Sequence, residues 1–194
     1  MKVAIVKYNA GNTASVANSL ARLGIAPVIS DDAAILQSAD RVIFPGVGEA
    51  STAMKYLCDR NLDMVIKSLL QPVLGICLGM HLLCESSDEN DTTCLGILPY
   101  RVRKFESTQL KVPHMGWNTI TDLHSPLFDN IEAGSYAYFV HSYFVEIGTA
   151  TTAVCVYGER FSAAVLQNNF YAVQFHPEKS GTAGQRILEN FLSI

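Results

Sequence analysis

Apolar and polar positions follow two rhythms along the chain, and the rhythm changes near residue 100. In the first half, short apolar runs bounded by turn residues alternate with segments whose apolar residues recur every three or four positions. Lys2–Tyr8 reads as a buried strand. Asn12 stands as the N-cap of a helix that carries Val16, Leu20 and Leu23 on one face and stops at Gly24. Pro27–Ser30 reads as a short strand, Asp31–Ala39 as a short helix, and Arg41–Phe44 as a third strand ending in the turn Pro45-Gly46-Val47-Gly48. A helical stretch from Ala50 to Leu70 is broken around Arg60–Asn61. Val73–Ile76 is a fourth strand, with a helix starting at once from Leu78. Repeated βα units predict a parallel sheet with helices on both faces.

In the second half, Tyr100–Phe105, Tyr136–Tyr143, Ala150–Val156, Phe161–Gln167 and Phe170–Phe175 are short β-branched or aromatic runs between turn residues. Asn168-Asn169 signals a hairpin, because Asn tolerates positive φ. A last helix, Gly184–Leu192, turns Ile187, Leu188 and Phe191 inward. The fold expected is α/β, an open, mixed, mostly parallel sheet flanked by helices, with antiparallel strands added to it later in the chain.

Composition narrows the function classes. The 194 residues predict one domain spanning 1–194, and 49% apolar against 16% charged residues excludes a disordered chain. Fourteen Lys+Arg against eighteen Asp+Glu give a net charge of −4, so no basic face is expected for nucleic acid or an anionic membrane. The N-terminal segment holds four apolar residues between two lysines, short of the roughly 7–15 of a secretory signal. No apolar run nears the roughly 18 residues of a membrane span. Five cysteines without a C-x-x-C pair argue against a disulfide framework or a zinc site and fit a reducing cytoplasm.

Three local patterns could carry chemistry. Gly75-Ile76-Cys77-Leu78-Gly79 places a cysteine between glycines where a strand becomes a helix, the spacing of a nucleophile elbow. The N–H groups and dipole of the following helix would lower the Cys77 thiol pKa. Gln174-Phe175-His176-Pro177-Glu178 lies at the end of another strand, 99 residues from Cys77 to His176. In an extended segment Glu178 would project to the side of His176 and hold its second ring nitrogen, completing a generalised triad of nucleophile, base and orienting carboxylate. Pro45-Gly46-Val47-Gly48 could present a peptide N–H to an oxyanion, with the Leu78 N–H as a second donor. The plain alternatives are a buried cysteine, a surface histidine and a tight turn. His81, His114, His124 and His141 show no metal-ligand spacing; His141 reads as a packed or rim residue. Trp117, the single tryptophan, reads as core unless a loop exposes it as an interface anchor.

Together these segments, with Tyr8-Asn9-Ala10-Gly11-Asn12, Pro113-His114-Met115-Gly116-Trp117-Asn118, Phe139-Val140-His141-Ser142-Tyr143 and Lys179-Ser180, make the chain resemble the class I glutamine amidotransferases along almost its whole length. The likeness narrows to the branch of glutaminase subunits that serve histidine biosynthesis. A related glutaminase of pyridoxal phosphate synthesis carries Pro-Gly-Gly at the turn. The resemblance implies flavodoxin-like layering, no cofactor, glutamine as substrate, and a (β/α)8-barrel cyclase as heterodimer partner that receives ammonia through a channel. It makes Cys77 the nucleophile, His176 the base and then acid, and Glu178 its orienting group. Val47 and Leu78 N–H groups form the oxyanion hole. Gly48, His81, Glu89, Ser142 and Tyr143 hold the substrate, while Asn9, Asn12, Trp117 and Lys179 face the partner. A peptide flip at Gly46–Val47 would switch the enzyme on when the partner's ligand binds.

One departure stands out. The family pattern Gly-Met-Gln, whose Gln contacts substrate, here reads Gly79-Met80-His81. A tolerated variant, weakened glutamine affinity and drift to another substrate are all open, and the intact triad favours the first two. The rival functions are another triad amidase or thiol hydrolase on this scaffold, and a non-catalytic docking module.

Overall fold

The computed structural model describes residues 1–106 and 110–194. In chain order the strands are β1 (Val3–Val6), β2 (Val28–Ser30), β3 (Arg41–Gly46), β4 (Val73–Cys77), β5 (Cys84–Ser87), β6 (Thr92–Thr93), β7 (Leu98–Lys104), β8 (His114–Thr119), β9 (Tyr136–His141), β10 (Tyr143–Val145), β11 (Thr151–Tyr157), β12 (Glu159–Gln167) and β13 (Phe170–Val173). The helices are α1 (Thr13–Arg22), α2 (Ala33–Gln37), α3 (Ala50–Asp59), α4 (Leu62–Lys67), α5 (Leu78–Leu83) and α6 (Gly181–Ser193).

Among the described residues the main sheet has seven strands in the order β11-β12-β13-β4-β3-β1-β2. From β13 to β2 every neighbour is parallel, and β12 and β11 extend that edge antiparallel. The sheet separates two apolar layers, because successive side chains of a strand point to opposite faces. On β1, Ala4 and Val6 join the layer under α2, α3 and α4 with Phe44, Leu57 and Ile66. Val3 and Ile5 join the opposite layer under α1 and α6 with Val16, Leu20, Ile187 and Phe191.

The βα reading of the first half holds. The predicted break at Arg60–Asn61 is the α3–α4 junction, where Asn61 takes φ +56°. The Asn168-Asn169 turn joins β12 and β13, with Asn168 at φ +53°. Other expectations are corrected. Asn12 precedes α1, but its side chain accepts no capping hydrogen bond; the α2 cap, Asp32, does accept one, from the Ile35 N–H at 3.0 Å. Tyr136–Tyr143 is not one strand. It breaks at Ser142, β9 pairing with β8 and β10 with β7 in separate sheets of two and four strands. Only β11 and β12, then, add antiparallel pairing to the main sheet.

The C-terminal ends of β3, β4 and β13 lie side by side, with Gly46 opposite Cys77 and Val173 opposite Ile76. Close helix-on-strand packing holds this edge. A Cβ on Gly79, in the first turn of α5, would stand 1.9 Å from the Phe44 carbonyl oxygen of β3. Backbone on both sides leaves neither partner free to retreat. Gly79→Ala is therefore expected to destabilise the fold by about 3 kcal/mol, measured by urea unfolding, whereas unchanged stability would contradict this packing.

Candidate functional site

Cys77 ends β4 with φ +52° and ψ −107°, a strained conformation for a residue with a Cβ. Strand alternation would send its side chain to the face of Val73. The elbow instead packs it with Leu74 and Ile76 on the opposite layer. α5 starts at the next residue, and Gly75 gives it room: a Cβ there would press on Leu83 Cδ1 at 2.8 Å and on the Gly79 backbone.

His176 and Glu178 are carried by the segment after β13. Pro177 favours an extended His176 (φ −100°, ψ 96°) and opens a single 3₁₀ turn, Pro177–Lys179. The turn is pinned to β9: His176 N–H donates to the Tyr138 carbonyl at 2.9 Å, the Ser180 hydroxyl to the His176 carbonyl at 2.6 Å, and Tyr138 N–H to Ser180 Oγ at 2.9 Å. Glu178 thus meets His176 through a tight turn rather than the extended segment expected. His176 Nδ1–H donates to Glu178 Oε1 at 2.9 Å, both side chains being 1% exposed. The other ring nitrogen, Nε2, has no nitrogen or oxygen partner among the described residues and is left to the Cys77 sulfur. Burial opposes a charged imidazole there, but the hydrogen bonds and charges of Cys77 and Glu178 outweigh it and raise the His176 pKa to about 10.

Cys77 opens onto a cavity of about 340 Å³. Its wall includes Val47, Gly48, Leu78, His81, Glu89, Ser142 and Tyr143, so every expected oxyanion and substrate residue borders it. Pro113, Val140 and His141 line it as well. They lay inside quoted motifs, but only the β8–β9 pairing shows that they reach the cavity. Glu89 accepts the Ala50 N–H at 2.8 Å and so caps α3 from a distance. Burial is the main cause raising its pKa.

Val47 does not present a free donor. Its N–H donates to the Ala10 carbonyl at 2.6 Å, on the loop after β1. The Tyr8 hydroxyl ties the same turn by donating to the Pro45 carbonyl at 2.7 Å.

Three further histidines surround the site and stay neutral. His81 is buried, with Nε2 2.7 Å from Gln174 Oε1, and burial lowers its pKa to about 4. His141 Nδ1–H donates to the Tyr143 carbonyl at 2.7 Å, which leaves its Nε2 to accept from His114 Nδ1–H at 2.9 Å. His114 Nε2 then accepts from the Asn118 amide at 3.3 Å. Burial lowers the His114 pKa to about 4 and the His141 pKa well below its ordinary value. His141 is thus packed rather than at a rim.

Trp117 is on β8 and 55% exposed, not core. It meets Tyr138 edge-on at 5.9 Å, and the Lys179 ammonium lies 5.9 Å from the same tyrosine ring. Asn9 is exposed and Asn12 half-buried, both on the loop from β1 to α1. Among the described residues no cluster of three or more His, Cys, Asp or Glu is placed to hold a metal, and no helix is long and apolar enough to cross a membrane.

Residues 4–194 match the family "Glutamine amidotransferase class-I". The chain belongs to that family. It is 54% identical over 196 residues to imidazole glycerol phosphate synthase subunit HisH of Bacteroides fragilis (strain YCH46), covering 100% of both chains. It is 44% identical over 199 residues to the HisH subunit of Vibrio cholerae, covering 99% of this chain and 98% of that one. At such identity and coverage it groups with the HisH subunits. The fold is shared with PurLQS from Thermotoga maritima, at TM-score 0.75 and 17% identity over 99% of this chain and 97% of that one. A glutamine amidotransferase from Thermotoga maritima matches at TM-score 0.65 and 16% identity over 100% and 83%. This glutamine amidotransferase therefore carries its candidate triad on a parallel-sheet edge that its structural neighbours share as a fold.

The buried histidines have a measurable cost in acid. An unfolded chain takes up these protons near pH 6.5, whereas folded His81 and His114 take them up only at about 4. Stability is full above pH 6.5 and is lost as pH falls from 6.5 to 4. The urea midpoint should fall through that window, and less steeply for His81→Gln, which has no ring to protonate. An equal fall in both proteins would contradict a buried neutral His81.

Proposed function

We propose that this chain is the glutaminase subunit of an imidazole glycerol phosphate synthase. It would work in the cytoplasm as a heterodimer with a (β/α)8-barrel cyclase and supply ammonia for histidine biosynthesis. One observation carries the catalytic part: Cys77 sits on a strained elbow beside a buried His176 that Glu178 holds by its far nitrogen. A docking module has no use for that arrangement, and the identity to HisH subunits supports glutamine over other amides.

His176, its pKa raised to about 10, takes the proton of the Cys77 thiol and holds it as an imidazolium. The Cys77 thiolate attacks the side-chain amide carbon of glutamine and the carbonyl becomes an oxyanion, held by the Leu78 N–H. His176 gives its proton to the departing nitrogen, releasing ammonia and leaving a glutamyl thioester. Neutral His176 then takes a proton from water, which attacks the thioester. Glutamate leaves and the thiolate–imidazolium pair returns. Gly48, Glu89, Ser142 and Tyr143 line the cavity where the substrate would lie.

The second oxyanion donor is the Val47 N–H, once its peptide turns away from Ala10. Binding of the cyclase and its ribotide ligand would favour that turn. Asn9, Asn12, Trp117 and Lys179 form the proposed docking face.

Ammonia and glutamate release from glutamine tests the proposal, with the chain alone and then with the cyclase and its ribotide substrate. The free chain should be slow and the full mixture faster by about 10²–10³, the size of one oxyanion donor. Cys77→Ala should release none. His176→Asn should lose about 10²–10⁴, the worth of a positioned acid–base group. Full activity of the free chain would contradict the Val47 switch, and an active Cys77→Ala would contradict the mechanism.

A further inference from the structure

Gln174 follows β13 and is fully buried, yet the mechanism above leaves its amide unused. A buried amide needs partners for both its ends. Its Oε1 lies 2.7 Å from His81 Nε2, and its Nε2 lies 3.8 Å from Cys77 Sγ. We propose that His81 and Gln174 form a second support for the Cys77 sulfur, with His81 the positioning residue that aims the Gln174 amide so that it donates to a thiolate. The inference rests on the reading of Cys77 as nucleophile and adds how its charge is held.

The direction of the hydrogen bonds follows from chemistry. His81 is neutral in its buried setting, so one ring nitrogen carries a proton. Its partner, a carbonyl oxygen, can only accept, so Nε2–H is the donor. The structure sets Oε1 towards His81 and the amide N–H towards the sulfur, the orientation this donor requires. An N–H donor favours thiolate over thiol, because the charged sulfur is the stronger acceptor. The opposite amide orientation would ask the sulfur to donate, and would favour the thiol.

One contact serves the thiol instead, the Val140 carbonyl 3.9 Å from Cys77 Sγ, and the other polar side chains near the sulfur are committed elsewhere. The Tyr8 hydroxyl donates to the Pro45 carbonyl, and His141 Nδ1–H donates to the Tyr143 carbonyl. His176 and Gln174 remain as its donors. His81 occupies the position where the family resemblance puts a glutamine, whose side-chain N–H could hold the Gln174 carbonyl in the same way.

The test reads the Cys77 thiol itself and needs no glutamine turnover. Alkylation of the full chain by iodoacetamide is followed against pH on the peptide that carries Cys77, because the exposed Cys58 would react too. Gln174→Met should raise the pH midpoint by about one unit, as expected for losing one hydrogen bond to a charged group. His81→Leu should shift it the same way, and the double variant no further than Gln174→Met alone. His81→Gln should restore the wild-type midpoint. If Gln174→Met does not fold, the His81→Leu and His81→Gln pair decides. Folded variants with the wild-type midpoint would overturn the proposal. So would a His81→Leu that raises KM for glutamine and leaves the midpoint unmoved, since His81 would then serve substrate alone. If the wild-type chain releases no ammonia, the glutaminase reading fails, while the alkylation midpoints still decide this one.

Discussion

The site depends on one close approach, the first turn of α5 laid against the end of β3. Gly79 permits it, because any side chain there would meet the Phe44 carbonyl. With α5 pressed onto the sheet, the chain must turn from strand to helix within a single residue, and Cys77 absorbs that turn at positive φ. The strain of about 1–3 kcal/mol that such a conformation costs is sustained by fully buried neighbours on both sides of the sheet, Leu74 and Ile76 on one face and Phe44 on the other. The same geometry puts the cysteine at the start of a helix and beside the Pro45–Gly48 turn. The positions of Cys77 and of the Leu78 N–H beside it are consequences of one backbone contact.

Charge is confined within this frame. Four histidines lie near Cys77, and burial acts against the charged form of each. Only His176 has partners that favour its charged form, Cys77 on one ring nitrogen and Glu178 on the other, and only its pKa rises. His81, His114 and His141 remain neutral, so each ring carries one donor and one acceptor and passes a hydrogen bond in one direction. The aromatic layer of Phe105, Phe139, Phe144 and Phe161 packs around His114 and His141 and keeps that region dry. In low dielectric, attraction between a thiolate and a single imidazolium is strong. A second charged histidine would repel His176 and disfavour its charged form.

Much of this was legible in the sequence, for physical reasons. Apolar strands buried on both faces, separated by helical periodicity, announced the parallel sheet. The G-x-C-x-G and Gln-Phe-His-Pro-Glu segments marked the strand ends that converge. What escaped detection lacked local signal. β8, with Met115, Gly116 and Asn118, has no alternation of its own and exists because β9 pairs with it. β5 is four residues long and largely polar. The break at Ser142 is set by two different sheets competing for one apolar run. Trp117 is exposed because β8 turns His114, Gly116 and Asn118 inward and leaves Met115 and Trp117 on its outer face. Hydrogen-bond direction was also hidden: the Val47 N–H meets Ala10, and His81 meets Gln174, 93 positions away. Such pairings belong to tertiary structure alone.

The most direct test of the account is to catch the covalent intermediate. The chain is mixed with glutamine in the presence of the proposed cyclase partner and its ribotide ligand, quenched in acid within the first turnovers, and its peptides are weighed. The account predicts one glutamyl group on the peptide carrying Cys77, absent from Cys77→Ala and formed far more slowly by His176→Asn, which can neither accept the thiol proton nor give one to the leaving nitrogen. Ammonia release without any glutamyl adduct, or an adduct on another cysteine, would contradict it.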